Sequence, residues 1–341
     1  MRYDVFGMCN ALFDIQAEVK DETLRDLGLT KGTMSLIGED EQKQIVPRIY
    51  THIVNTEAGG SGANTMIGVA LLGGQTCYTS RVGSDEHGTI YRDGLAAQGV
   101  QPNLGMASGT TGISLILVTP DAERTMCTFL GLSRDLTRDD VKVEDLRNSK
   151  YLYVTGYLWD TENQKEAVLF AMQEANKAGV KVALSLSDPF CVHRHKDDFL
   201  RLLKDHVDII FANAQEAQAL TDTDSPYSAA KVLAQYADIV AITMDEKGSL
   251  LRQGDSEYEI PVSPVQAVDT TGAGDMYAAG LLYGLSQGLP LDVSGRIASY
   301  AAAQVVAKLG PRLETIDQTK IEQLKNGGTH TRNLCPDMTS S

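Results

Sequence analysis

From Lys150 onward, short apolar runs alternate with amphipathic stretches of helical period. Residues 151–155, 180–187, 207–212 and 239–243 are predicted strands. Residues 162–178, 193–203 and 214–220 are the helices between them, the first with Val168, Ala171, Met172 and Ala175 on one face. Alternation of this kind predicts a parallel sheet with right-handed crossovers. The N-terminal part is less regular. An apolar run over 3–15 with a glycine break predicts a first buried strand running out to Asn10 and Asp14. A charged helix near 21–27, a short strand at 33–37, a polar helix over 39–50 and a strand at 51–55 follow. Then come a strand at 76–82 and a helix over 86–98. Residues 113–119 and 123–130, joined through Pro120-Asp121, predict a β-hairpin that leaves the main sheet.

Composition narrows the class. The 341 residues suit one large α/β domain or two smaller ones, and 43% hydrophobic with 22% charged residues is ordinary for a globular chain. A net charge of −15 argues against nucleic acid and anionic membrane surfaces as partners. The cysteines (Cys9, Cys77, Cys127, Cys191, Cys335) are scattered and contain no Cys-x-x-Cys, so a reducing compartment is expected. The N-terminus reads as a strand rather than a signal peptide, and no apolar run approaches the ~20 residues of a span. The expectation is a cytoplasmic enzyme or binder without membrane attachment.

Candidate chemistry concentrates at glycine-rich turns that open helices. Asp269-Thr-Thr-Gly-Ala-Gly-Asp275 stands between a β-type run at 258–262 and a small-residue helix. At a helix N-terminus the first N–H groups lack carbonyl partners and the dipole adds positive charge, so an anion is held there. A carboxylate at the same spot makes sense as a base that deprotonates an alcohol while those N–H groups stabilise a transferring phosphoryl. It makes equal sense as a helix cap. A second such turn, Ala58-Gly-Gly-Ser-Gly-Ala-Asn64, opens another helix; half of a dinucleotide fingerprint is present, without the expected acid further on. Asp14 ends a strand, where ligands of open α/β sheets gather. Asn213 and Glu216 share a helix face and suit either a capping box or a cation site. His193-Arg-His195 reads as a surface pair, and the absence of Gly-x-x-x-x-Gly-Lys-[Ser/Thr] excludes a P-loop.

Taken together these motifs resemble the ribokinase (PfkB) family of carbohydrate and nucleoside kinases. The order is right across the chain: Gly7-Met-Cys-Asn10-Ala-Leu-Phe-Asp14, Gly59-Gly60 with Asn64, Asn213 with Glu216, and Gly272–Asp275. The resemblance implies a three-layer α/β sandwich, with helices on both faces of a mostly parallel sheet, over residues 1–328. It also implies a small discontinuous β lid from about 12–38 and 108–132, with 329–341 as a loose tail. It implies transfer of the ATP γ-phosphoryl to a primary hydroxyl, with Mg²⁺; a monovalent cation such as K⁺ is left open. In that setting Asp275 is the base, and Gly272, Ala273 and Gly274 with Arg124 from the lid stabilise the phosphoryl. Asn10, Asp14, Gly59, Gly60 and Asn64 hold the acceptor, with Ser35, Leu36 and Leu130 from the lid. Asn213, Thr243, Gly248, Thr270 and Ala302 line the nucleotide, and Glu216 reaches the metal through water. Asp245 stands where relatives commonly carry a glycine. The wording around Asn10–Asp14 and Leu184–Phe190 is closest to bacterial adenosine kinase-like members, which makes adenosine the expected acceptor. A sugar kinase for ribose or fructose is the in-class alternative, and a non-catalytic nucleoside- or sugar-binding protein the alternative outside it. The expected assembly is a monomer or a lid-mediated homodimer.

Overall fold

The structure is a computed structural model that describes residues 2–121 and 123–327. In chain order its strands are β1 (Tyr3–Met8), β2 (Leu12–Glu18), β3 (Met34–Leu36), β4 (Ile53–Gly59), β5 (Thr76–Gly83), β6 (Val100–Ala107) and β7 (Gly112–Val118). They continue as β8 (Arg124–Phe129), β9 (Ser149–Thr155), β10 (Lys181–Ser185), β11 (Ile209–Asn213), β12 (Ile239–Thr243), β13 (Ser249–Gln253) and β14 (Ser256–Ile260).

Nine strands make one sheet, ordered β14-β13-β12-β11-β10-β9-β1-β5-β6. β1, buried along its whole length, pairs in parallel with β9 and β5. Only the β12-β13-β14 edge is antiparallel. Strands covered on both faces read as continuous apolar runs, and this sheet has a core on each side. Leu146, Val168, Phe199, Leu220 and Leu233 fill one core. They come from the helices Val143–Arg147, Glu162–Ala178, Pro189–Asp205, Ala214–Thr221 and Pro226–Leu233. Met66, Leu95, Met276, Leu281 and Ala298 fill the other, from Ser61–Leu71, Glu86–Ala97, Ala273–Ser286 and Leu291–Val306. The expected three-layer sandwich with a mostly parallel sheet is therefore present. On the second face the helices pack closely because small residues meet: a Cβ on Gly280 would lie 2.5 Å from the Ala298 Cα.

Five strands form a second sheet, ordered β3-β8-β7-β2-β4, in which β7 and β8 are the predicted hairpin. Its own core of Ile15, Leu24, Ile45, Ile49 and Leu115 lies under the helices Asp21–Asp26 and Glu39–Ile49.

Some elements differ from the sequence reading. The apolar run 3–15 is two strands in two sheets. The chain leaves the first sheet after Met8, held by Tyr78 Oη donating to the Asn10 carbonyl (3.0 Å) and Ala11 N–H donating to Ser80 Oγ (3.0 Å). Apolar periodicity cannot separate one long buried strand from two set end to end. β6 had no predicted counterpart, since this edge strand carries polar and partly exposed residues. β13 was also missed, and β14 stops at Ile260, before Pro261. The predicted strand at 51–55 is β4, and it runs on to Gly59. The tail expected over 329–341 lies outside the described residues. Among the described residues no helix is long and apolar enough to cross a membrane.

Candidate active site

Two helices begin side by side at the same end of the central sheet. Ala273–Ser286 starts after Gly272, whose left-handed backbone (φ 74°, ψ 0°) suits glycine. A Cβ there would also lie 2.4 Å from the Pro311 carbonyl oxygen, so the segment after the last long helix packs directly under the turn. Above Gly274, by contrast, a Cβ would meet nothing within 4 Å. The Gly274 and Asp275 N–H groups are thus open to an anion on that side, while Ala273 N–H donates to the Thr270 carbonyl. Ser61–Leu71 begins after Gly60 and packs against the same helix, with a Gly68 Cβ only 2.6 Å from the Ala279 Cβ.

This packing brings Asp275 onto the second glycine-rich turn. Ser61 Oγ donates to Asp275 Oδ1 (2.6 Å) and Asn64 Nδ2 donates to Oδ2 (2.9 Å). Burial pushes the Asp275 carboxyl up, while these two donors and the Arg312 charge pull it down; the net direction is up. A half-buried carboxylate with raised basicity and two orienting donors is a competent proton acceptor for an alcohol.

Asp14 comes from β2, across from β4. A Cβ on Gly59 would lie 1.9 Å from Asp14 Oδ2, so only glycine leaves this carboxylate its place. Gly60 has φ 92°, and a Cβ there would lie 2.6 Å from the Asn10 carbonyl oxygen. Burial pushes Asp14 up to about 7, with Glu57 and Asp275 adding to the rise and Arg312 opposing it. Asp14, Glu57, Arg124, Asp269, Thr271 and Gly310 share one cleft between the two sheets.

Arg124 of β8 reaches the motif, but at its other end, where it forms an ion pair with Asp269. Asp269 Oδ1 also accepts from Thr271 N–H (2.8 Å) and Thr271 Oγ1 (2.7 Å), and Oδ2 from Gly310 N–H (2.9 Å). Burial alone would raise this carboxyl; the N–H donors, the hydroxyl and Arg124 outweigh it and hold it below its ordinary value. The arginine expected at the phosphoryl is thus tied to the loop that precedes Asp275.

The other sequence-predicted residues fall into two groups. Asn10 is buried, and its amide serves the protein: Oδ1 accepts from Gln164 Nε2 (2.6 Å) and Nδ2 donates to the Tyr157 carbonyl (3.4 Å). Ser35 and Leu36 are exposed on the edge strand β3, beside Cys127 and Thr128, and Leu130 follows β8, its carbonyl accepting from Ser133. None of these three is hydrogen-bonded to the Asp14–Asp275 cluster.

Farther along the sheet, Asn213 ends β11 and forms a complete capping box with Glu216. Asn213 N–H and Nδ2 donate to the Glu216 carboxylate (3.0 and 2.7 Å), and Glu216 N–H returns to Asn213 Oδ1 (2.8 Å). Burial pushes Glu216 up to about 7; Asp188 adds to this and the Asn213 N–H opposes it. Thr243 ends β12, and Gly248 (φ 87°) is packed so that a Cβ would lie 2.1 Å from the Ile260 carbonyl oxygen. Asp245 adopts φ 50°, the left-handed conformation that explains a glycine in relatives and that aspartate tolerates better than most residues. Thr270 sits in the motif, its carbonyl accepting from Ala273 N–H, and Ala302 is half-buried on Leu291–Val306.

A family model described as pfkB family carbohydrate kinase matches residues 28–318. The chain belongs to that family. It is a sugar or nucleoside kinase, a phosphotransferase with an alcohol acceptor. Among solved structures, adenosine kinase from Sinorhizobium meliloti is 38% identical, with 95% of this chain and 99% of that chain covered and a TM-score of 0.88. A probable sugar kinase from Rhizobium etli CFN 42 is 37% identical, covering 94% and 98%, with a TM-score of 0.89. Ribokinase from Haemophilus influenzae is 29% identical over 260 residues, 74% of this chain and 82% of that protein.

One charged residue of this pfkB kinase escaped the sequence reading. Arg312 Nε donates to Asn64 Oδ1 (2.7 Å), and its charge acts on Asp14 and Asp275. Nothing in the spacing marks it, because 248 residues separate it from Asn64. The one local signal is the Gly310-Pro311 break just before it, which ends the helical pattern.

Proposed function

We propose that this pfkB kinase transfers the γ-phosphoryl of ATP to the 5′-hydroxyl of adenosine, giving AMP. The observation that carries the reading is the contact of Asp275 with Ser61 and Asn64. It sets a proton acceptor beside the glycine-rich turn that would hold the acceptor's hydroxyls, and at the mouth of a helix open to an anion. Asp14, Gly59, Gly60 and Asn64 bind the ribose; Asp275 takes the hydroxyl proton as the new P–O bond forms and the bond to the β-phosphate oxygen breaks. The N–H groups of Gly274 and Asp275 receive the charge that develops on the phosphoryl oxygens, Ala273 N–H being taken by the Thr270 carbonyl. Positioning supplies most of the acceleration, since little covalent chemistry falls to the protein.

The nucleotide lies along Thr243, Gly248, Thr270 and Ala302. Mg²⁺ keeps several waters and takes oxygen ligands, and the residues near the β11 end fit a hydrated ion. Both Glu216 oxygens already accept one hydrogen bond each and can accept another from water. Asp188 Oδ2, whose charge reaches Glu216, is buried without a partner. Among the described residues no cluster of three or more ligating side chains offers direct coordination. When bound, the ion would neutralise charge on the phosphates.

Adenosine is favoured by the likeness to the Sinorhizobium enzyme and to adenosine kinase from Anopheles gambiae, 26% identical with a TM-score of 0.80. The second reading, a sugar as acceptor, is favoured by the equally similar probable sugar kinase. A coupled ADP-release assay across adenosine, guanosine, inosine, ribose and fructose separates them. Turnover of ribose or fructose above adenosine overturns the first reading. Turnover of none of the five, with nucleoside or sugar still bound, supports a binding protein instead.

A further inference from the structure

The cluster around Asp275 holds a cation that neither glycine-rich motif accounts for. Gly310 N–H donates to Asp269, and Pro311 packs under Gly272, so the segment carrying Arg312 is fastened to the motif at two points. Arg312 is half-buried, its Nε is bonded to Asn64 Oδ1, and its Nη2 is buried without a partner. An amide whose oxygen accepts from a guanidinium has its nitrogen fixed on the opposite prong. In Asn64 that nitrogen is the one bonded to Asp275 Oδ2. We infer that Arg312 is a positioning residue of the phosphoryl transfer: it locks the Asn64 amide against the base and sets a fixed positive charge between Asp14 and Asp275.

The charge assignment follows from what else faces the pair. Tyr78, Tyr91, Tyr153 and Tyr157 are held neutral by burial, as is the Cys9 thiol. Arg124, the cation that lines the cleft beside Asp14, is engaged by Asp269. Arg312 therefore opposes Glu57 and the mutual repulsion of the two aspartates, and so favours the ionised base that accepts the proton. This role rests on the kinase reading above and deepens it.

Arg312→Gln and Arg312→Lys test it, by ¹³C NMR titration of the Asp14 and Asp275 carboxyls in the ligand-free protein and by kcat/KM for adenosine against pH. In Arg312→Gln both carboxyls titrate at higher pH, the acidic limb of kcat/KM moves up by ~1 unit, and kcat falls ~10-fold or more. In Arg312→Lys the charge remains and the limb stays in place, while kcat still falls because lysine lacks the fixed Nε–H donor that holds Asn64. Carboxyl titrations in a folded Arg312→Gln that match the unaltered protein overturn the inference. If Arg312→Gln does not fold, Arg312→Lys decides alone: unchanged titration with lowered kcat supports the role, and unchanged kcat overturns it. The titration needs no acceptor, so failure of the unaltered protein to phosphorylate adenosine counts against the adenosine reading only.

Discussion

Asn64 Nδ2 donates to Asp275 Oδ2 at 2.9 Å across 211 residues of sequence, and with the Ser61 hydroxyl on Oδ1 it joins the two glycine-rich turns of this chain. Each turn alone is an ordinary helix start. Joined, they set the Asn64 amide and the Asp275 carboxylate side by side, the arrangement on which the proposed mechanism rests. The base is the first point to test. Asp275→Asn keeps the shape and both neighbours while removing the proton acceptor. Turnover is expected to fall ~10²-fold or more, with ATP affinity by calorimetry unchanged. Activity near that of the unaltered enzyme sinks the mechanism.

Glycine at 59 is demanded by the Asp14 carboxylate. Any Cβ there collides with the Asp14 carboxylate, at 1.9 Å from Oδ2, and Asp14 must leave its place. Gly59→Ala is expected to raise KM for the acceptor ~10-fold or more with a smaller change in kcat, because Asp275 is not displaced. Steady-state kinetics at saturating ATP reads this. A variant that lowers kcat and leaves KM alone contradicts the assignment of Asp14 to binding.

The link between the second sheet and the catalytic loop is the Arg124–Asp269 pair. The Asp269 side chain is 2% exposed and that of Arg124 26%. Removing the carboxylate strands a largely buried guanidinium and the N–H groups of Thr271 and Gly310 at once. Asp269→Ala is expected to cost about 3 kcal/mol in urea unfolding. Arg124→Ala should cost less, because Asp269 keeps its Thr271 and Gly310 donors. The reverse order of losses would show that the arginine, not the aspartate, organises the loop.

Much of this was readable from the residues. The βαβα rhythm after Lys150 pointed to the parallel sheet, because period and length are local properties, and the resemblance to the ribokinase family implied the three-layer sandwich. The glycine turns, Asp14 and Asp275 were singled out from short local patterns too, and the fold brings them together, Asp275 on Ser61 and Asn64 and Asp14 on Gly59. What was hidden is tertiary. Arg312 sits on Asn64 only because the chain after Val306 turns back under Gly272. Arg124, expected at the phosphoryl, finds Asp269, since the hairpin's reach into the cleft depends on how the second sheet docks. Asn10 lies in the right motif, but its amide serves Gln164 and Tyr157, partners set by the helix Glu162–Ala178 and the turn before it. The break between β1 and β2 left no mark in an apolar run that is buried or half-buried on both sides of it.

The Asp14 carboxyl links the site to stability, and its sign can be worked out. An unfolded aspartate titrates near 3.9, and burial among Glu57 and Asp275 lifts this one to about 7 in the fold. The folded state therefore binds this proton more tightly than the unfolded chain. Its contribution is fully present below about 4 and is lost as pH rises through about 7. At pH 8 the native protein carries an ionised group that its surroundings disfavour, a cost that fits the proposed role of Asp14 in holding the acceptor. Asp14→Asn removes that charge at nearly constant volume. The ligand-free variant is expected to melt ~2–3 °C above the unaltered protein at pH 8, a modest gain because Asp14 keeps some solvent contact. The gap should close as pH falls toward 4, while KM for the acceptor rises at every pH. Differential scanning calorimetry across pH 4–8 measures the gap. A gap that is constant with pH, or of opposite sign at pH 8, shows that Asp14 is already well solvated or paired in the fold.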